Sequence, residues 1–169
     1  FPVVQQIIVF AEEVFEVSPF LFGLLGSAQG IGAVLAVPLV TGYVNFMKPS
    51  VQQLIATVGY GFAVMIFALA PSYTVAFFSL GILGIMHLIS ASNLNSVVQL
   101  QVDEEMRGRV MAIYLVGVLG PAPFAGLAMG WLVSAFGPRL VVALSGSILA
   151  FLAVVLWFRG KFSDLNSTT

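Results

Sequence analysis

The sequence predicts an all-α fold, a polytopic transmembrane helix bundle, and three observations carry that prediction. Only 8% of the residues are charged while 60% are hydrophobic, and the mean hydropathy is +1.08. Soluble domains have about a quarter of their residues charged, and a surface this poor in charge would leave apolar patches that aggregate in water. Apolar stretches of about 20 residues, the length that crosses a bilayer, recur along the 169 residues with short polar breaks between them. Finally, IMHLISASNLNSVVQLQ at residues 85–101 concentrates hydroxyl, amide and imidazole groups inside one such stretch. In hydrocarbon each of these groups must find a partner or cost free energy.

The elements follow in order. The chain opens with FPVVQQIIVF, with no initiator Met, basic n-region or cleavage pattern. That run makes a helix only about 15 Å long, half a hydrocarbon core. Residues 1–15 therefore read as the second half of a spanning helix, and the chain reads as a fragment. Five complete spans are expected, at about 19–40, 51–70, 72–100, 110–136 and 140–158, with a polar tail at 159–169. Ser18 is positioned to cap the first, and Pro19 stands where its missing N–H costs nothing. TGYVNFMKPS, APSY, QVDEEMRGR and GPR separate the spans.

Basic residues orient this arrangement. With alternating loops, Lys48, Arg107, Arg109, Arg159 and Lys161 fall on one side and only Arg139 on the other. Such asymmetry in short loops marks the cytoplasmic side, so the C-terminus is expected there, in a multi-pass protein of the cell membrane. Glu12, Glu13 and Glu16 face outward. A net charge of -1 offers nothing to nucleic acid, and the absence of cysteine removes disulfides and thiolate metal sites. No cofactor or metal is expected.

The spans differ chemically. The second and fifth are almost wholly apolar and read as lipid-facing. The first, third and fourth carry most of the glycines, prolines and amides, and suit a crowded or water-lined interior. Gly26 with Gly30, and Gly126 with Gly130, have the spacing that lets backbones approach closely. In GVLGPAPFAG, which holds Gly117, Gly120 and Pro121, the prolines each free a carbonyl and kink the helix.

On the third span Ser92, Asn95, Ser96 and Gln99 follow the i, i+3, i+4, i+7 rule and form one stripe. His87 lies near mid-depth, about 80° around from Asn95, where it can hydrogen-bond a solute or carry a proton. Asn93 points away from the stripe and reads as structural. Gln29 is a second candidate for a cavity wall, and Gln5 and Gln6 a third on the partial helix. No carboxylate lies deep in any complete span. With one histidine and no deep acid, no catalytic constellation is apparent, so the chain does not read as an enzyme.

Two polar or glycine-rich helices followed by an apolar one, repeated as three plus three, resemble half of a major facilitator superfamily transporter. The segment NSVVQLQVDEEMRGRVMAIYLV is similar to the loop between the tenth and eleventh helices in the enterobactin-exporter and drug-efflux branch of that family. GxxGP at Gly117, Gly120 and Pro121 resembles that branch's eleventh helix. Residues 1–169 would then be a C-terminal half-bundle, helices seven to twelve. The loop GYVNFMKPSV keeps Gly42 and Lys48 of the family's GxxxDRxGRR-like motif but not its acid and arginines. The resemblance implies a secondary active transporter that exports a small amphipathic, drug-like or siderophore-like solute by alternating access, coupled to protons. Its partners would be membrane lipid, the solute, protons and an N-terminal half-bundle. Arg107 and Arg109, beside Asp103 and Glu104, would serve a cytoplasmic gate. The competing expectation is a membrane-embedded protein that binds a partner or aids assembly without transporting.

Overall fold

A computed structural model describes residues 7–10, 14–15, 17–42, 46–162 and 165. Beyond a helical turn at residues 7–9, the helices are α1 (Pro19–Thr41), α2 (Pro49–Ala68), α3 (Tyr73–Leu100), α4 (Arg107–Leu119), α5 (Ala122–Phe136) and α6 (Pro138–Phe158). The described residues contain no strand. Among the described residues five stretches are long and apolar enough to cross a membrane: α1, α2, α3, residues 107–136 and α6. The protein is an all-α, multi-pass membrane protein.

Local chemistry sets the ends. Ser18 Oγ accepts from the Leu21 amide at 3.5 Å, a long cap. Proline opens α1, α2 and α6, where a lost N–H is harmless. Gly137 joins α5 to α6 with φ of 83°, a backbone that side-chain-bearing residues rarely adopt. The span expected at about 110–136 runs over 107–136 as α4 and α5, interrupted at Gly120 and Pro121, whose backbone stays in the right-handed helical region. Pro121 has no N–H to continue the ladder from α4.

The packing runs in one connected line: α1 lies along α3, α3 along α2, and α2 along α6, while α5 touches α6 lightly. The apolar core sits between them, around Phe10, Phe67, Leu25, Leu80, Leu83, Val64 and Val142. This corrects the expectation that the second span faces lipid. The most apolar 18 residues of α2 are 39% buried, those of 107–136 not at all. Lipid tails are as apolar as leucine, so hydrophobicity does not decide which helix is central; close approach does.

Two seams show how that approach is made. A side chain begun on Gly61 would sit 2.7 Å from the Gly146 carbonyl oxygen and 2.9 Å from Ala150 Cβ, and one on Gly146 would meet Gly61 in return. Between α1 and α3, one on Gly32 would strike the Gly81 carbonyl and one on Gly84 the Gln29 carbonyl. The glycines singled out by spacing behave differently. Around Gly26, Gly30, Gly117 and Gly130 a side chain would meet nothing within 4 Å. Spacing puts two glycines on one face of a helix without saying what lies opposite. Gly126 is half-buried.

A polar seam reinforces the α2–α3 contact. Asn93, 6% exposed, donates through Nδ2 to the Pro49 carbonyl at 2.9 Å and to Gln53 Oε1 at 3.1 Å. Gln53, 7% exposed, donates through Nε2 to Ser90 Oγ at 2.8 Å and to Thr57 Oγ1 at 3.1 Å. The two amides thus meet across the α2–α3 contact and are held there by neighbours on both helices.

Gly61→Val is expected to destabilise the protein by about 1–3 kcal/mol, the usual cost of overpacking, read from thermal melts in detergent. In the same assay Gly26→Ala and Gly30→Ala should leave stability unchanged or raise it by up to about 1 kcal/mol, the helix-propensity gain. A double-mutant cycle on Asn93→Leu and Gln53→Leu should give a coupling at or above about 0.6 kcal/mol, the average for interhelical bonds in a membrane. A coupling near zero would remove the seam from the account.

Candidate functional site

Where α2, α3 and α6 converge they leave a cavity of about 450 Å³, lined by Gln53, Thr57, Tyr60, His87, Ser90 and Ser145 together with apolar Val64 and Leu149. Each helix contributes by register. Gln53, Thr57 and Tyr60 follow i, i+4, i+7 on α2, and His87 with Ser90 are three apart on α3, so each set stands on one face. Small residues at Ala56 and Gly146 keep the opening wide.

The Tyr60 and His87 rings are 6.1 Å apart between centroids and inclined by 48°. Ser145 Oγ donates to the Val142 carbonyl at 2.7 Å, the intrahelical bond that lets a serine sit in an apolar span. The Gln53 amide is committed to Ser90, Thr57 and Asn93. The Tyr60 hydroxyl forms no hydrogen bond within the described residues. The cavity therefore combines one imidazole, one phenol and several hydroxyls in apolar walls. Its lining can hydrogen-bond a neutral polar group, and among the described residues no carboxylate lines it.

The structure divides the polar residues of α3 that the sequence grouped together. Ser92 and Ser96 line a separate space of about 190 Å³ at the other side of the helix, with Val40, Met47, Pro49 and Gln52 from the α1–α2 joint. Asn95 is half-buried and Gln99 exposed, and neither lines the two cavities. Asn93 stands in the seam between α2 and α3. His87 therefore shares a cavity with Ser90 and with residues of α2 and α6, not with the serines one and two turns further along.

Gln29 is half-buried on α1, its carbonyl close to Gly84. Gln5 and Gln6 lie outside the described residues, as do Glu12, Glu13 and Glu16. Asp103 and Glu104 are exposed on the turn before α4, and Arg107 and Arg109 are exposed in the first turn of α4; the connection is held by backbone bonds from the Met106 amide to the Asp103 carbonyl at 3.0 Å and the Arg107 amide to the Glu104 carbonyl at 3.4 Å. Sequence reasoning missed Gln53, Thr57, Tyr60 and Ser145 because their spans were read as lipid-facing. The signal was present in the i, i+4, i+7 spacing of the first three.

Comparison with known proteins gives the arrangement its context. The enterobactin exporter EntS of Salmonella choleraesuis is 28% identical over 142 residues, covering 83% of this chain and 34% of the exporter. The chain thus spans about a third of that curated relative's length. No solved structure matches. The family profile described as Major Facilitator Superfamily matches residues 3–166, nearly the whole sequence. The chain belongs to the Major Facilitator Superfamily.

Proposed function

We propose that the protein is a secondary active transporter which exports a small amphipathic, drug-like or siderophore-like solute in exchange for protons. The observation that carries the reading is His87. It is the only histidine in the sequence, it lies within α3, and it lines a polar cavity in an otherwise apolar bundle. Among the described residues the acids are Asp103, Glu104 and Glu105, all on the turn between α3 and α4, so within the described helices an imidazole is the group able to bind and release a proton near neutral pH at depth. Membership in a transporter superfamily and similarity to an exporter favour conveyance over catalysis.

In this reading the bundle works with a second half-bundle, and the two rock about a central passage to open alternately to each side. Gln5, Gln29, Asn95 and Gln99 are candidates for contact with the solute, and Ser92 and Ser96 respond to movement of the α1–α2 joint. Asp103, Glu104, Arg107 and Arg109 form the cytoplasmic gate, and Gly120 with Pro121 supplies a hinge. The basic loops and the C-terminus face the cytoplasm of a cell bounded by this membrane.

His87→Ala in the full-length protein should abolish proton-coupled efflux, measured as solute accumulation in cells and as flux into vesicles under an imposed pH gradient. Membrane abundance should stay normal, and His87→Gln should keep solute binding while losing the response to the gradient. Wild-type efflux by His87→Ala would remove proton exchange at this residue.

A further inference from the structure

Hydroxyl groups on the spanning helices are mostly turned back on their own backbone. Ser27, Thr41, Ser79, Ser134, Ser145 and Ser147 each donate to a carbonyl three or four residues earlier, at 2.7–3.0 Å. That bond uses the one proton such a group has to give. Thr57 and Ser90 break the pattern. Each accepts from the Gln53 Nε2 amide, at 3.1 and 2.8 Å, and neither donates to any group among the described residues. The Tyr60 hydroxyl makes no hydrogen bond there either.

All three hydroxyls line the cavity between α2, α3 and α6. Gln53 behind them is held fast, its oxygen accepting from Asn93 and its nitrogen donating to both Thr57 and Ser90. The Thr57 and Ser90 oxygens flank that one nitrogen and so lie roughly 5 Å apart, a gap that a single acceptor oxygen bridges with two bonds of ordinary length. Further along α2 the walls change. Thr57 and Tyr60 give way to Val64, and α6 adds Leu149. From Gln53 to Val64 is about 16 Å of helix, so donors stand at the end nearer the α1–α2 joint and hydrocarbon at the other. Gln53, Ala56, Val64 and Gly146 are buried at the floor, while Thr57, Ser90 and Leu149 are half-buried at the edge, which leaves one side open. At about 450 Å³ the space suits a drug-sized ligand and is too small for a whole two-chain lipid. Among the described residues no Lys, Arg, Asp or Glu lines it, and a charge buried without such a partner is costly.

We propose that this cavity is a binding site for a small uncharged molecule with an apolar body and a carbonyl at one end. The carbonyl oxygen accepts from the Thr57 and Ser90 hydroxyls, and the body lies toward Val64 and Leu149. A hydrocarbon of the same shape would fill the space and leave those donors unpaired, which costs free energy away from water. The proposal goes beyond the transport reading, because it concerns a ligand held at equilibrium and involves neither proton exchange nor flux.

The test uses full-length protein in lipid nanodiscs. The probe is tritiated para-hexylacetophenone, a neutral ketone with an apolar tail, compared with para-hexyl-ethylbenzene, the same body without the oxygen. Saturable binding above that of empty nanodiscs is expected, with the ketone held about tenfold more tightly than the hydrocarbon, as two neutral hydrogen bonds would give. Thr57→Val combined with Ser90→Ala should bring that ratio close to one, whereas Thr57→Ser combined with Ser90→Thr, which keeps both hydroxyls, should preserve it. Leu149→Trp, which fills the apolar end, should abolish saturable binding of both compounds. Equal affinity of the unaltered protein for the two compounds, or no saturable binding at all, overturns the proposal without any variant having to fold. So does an unchanged ratio in the variant lacking both hydroxyls. Nanodiscs of ether lipids, which carry no carbonyl, test the bilayer as the source of the ligand. Equal binding in ester and ether nanodiscs supports a free small molecule, and binding in ether nanodiscs alone gives the site to a lipid ester and overturns the proposal. No gradient is imposed and no flux is read, so failure here and failure of transport are separate results.

Discussion

The backbones of Gly61 and Gly146 meet so closely that neither position has room for a side chain, and the arrangement of the other helices follows from that contact. In water such closeness would be one contribution among many. In a bilayer, burying a leucine against another helix instead of lipid gains little, so fine packing decides the neighbours. The α2–α6 seam is matched by the α1–α3 seam at Gly32, Gly81 and Gly84. Between the two seams α2 and α3 are joined by amide bonds. Small residues and a few polar bonds thus do what a hydrophobic core does for a soluble protein.

The same constraint explains why the polar groups of α3 are spread around the helix. A bilayer-spanning segment cannot leave an amide unsatisfied, and every direction with a neighbour can supply a partner. Asn93 finds one on α2 and at the start of that helix, and Ser90 finds one in Gln53. His87 turns to the three-helix cavity and meets Tyr60. The question raised by the polar stretch at 85–101 therefore has two answers. Part of it secures the seam, and part of it lines space.

Most of the fold was legible because hydropathy along the chain reports length, and length reports crossing. Capping chemistry at Ser18 and prolines at helix starts set boundaries to within a few residues of those observed. What the sequence could not convey was which faces meet. Gly26 and Gly30 have the better-known spacing yet face open space, while Gly61 and Gly146 touch despite lying 85 residues apart. The cavity was half visible. His87 stood out as the lone imidazole, but Gln53, Thr57 and Tyr60 were overlooked because an apolar span was equated with a lipid-facing one. Their shared face, read as a stripe, marks a helix that turns its polar side inward.

Residues 107–136 differ mechanically from their neighbours. None of α4 is buried and only Met129 of α5 is, at 9%. The segment is tied to the bundle only near its ends, through the Gly137 turn and a light contact of α5 with α6, and through the turn at 101–106 and a light contact of α4 with α3, and its regular helix is interrupted at Gly120 and Pro121. A rod held lightly near its ends and interrupted in the middle is a strut that little else braces. Displacing it parts few contacts within this bundle, so a load along the strut would be spent on movement instead of on unpicking the core.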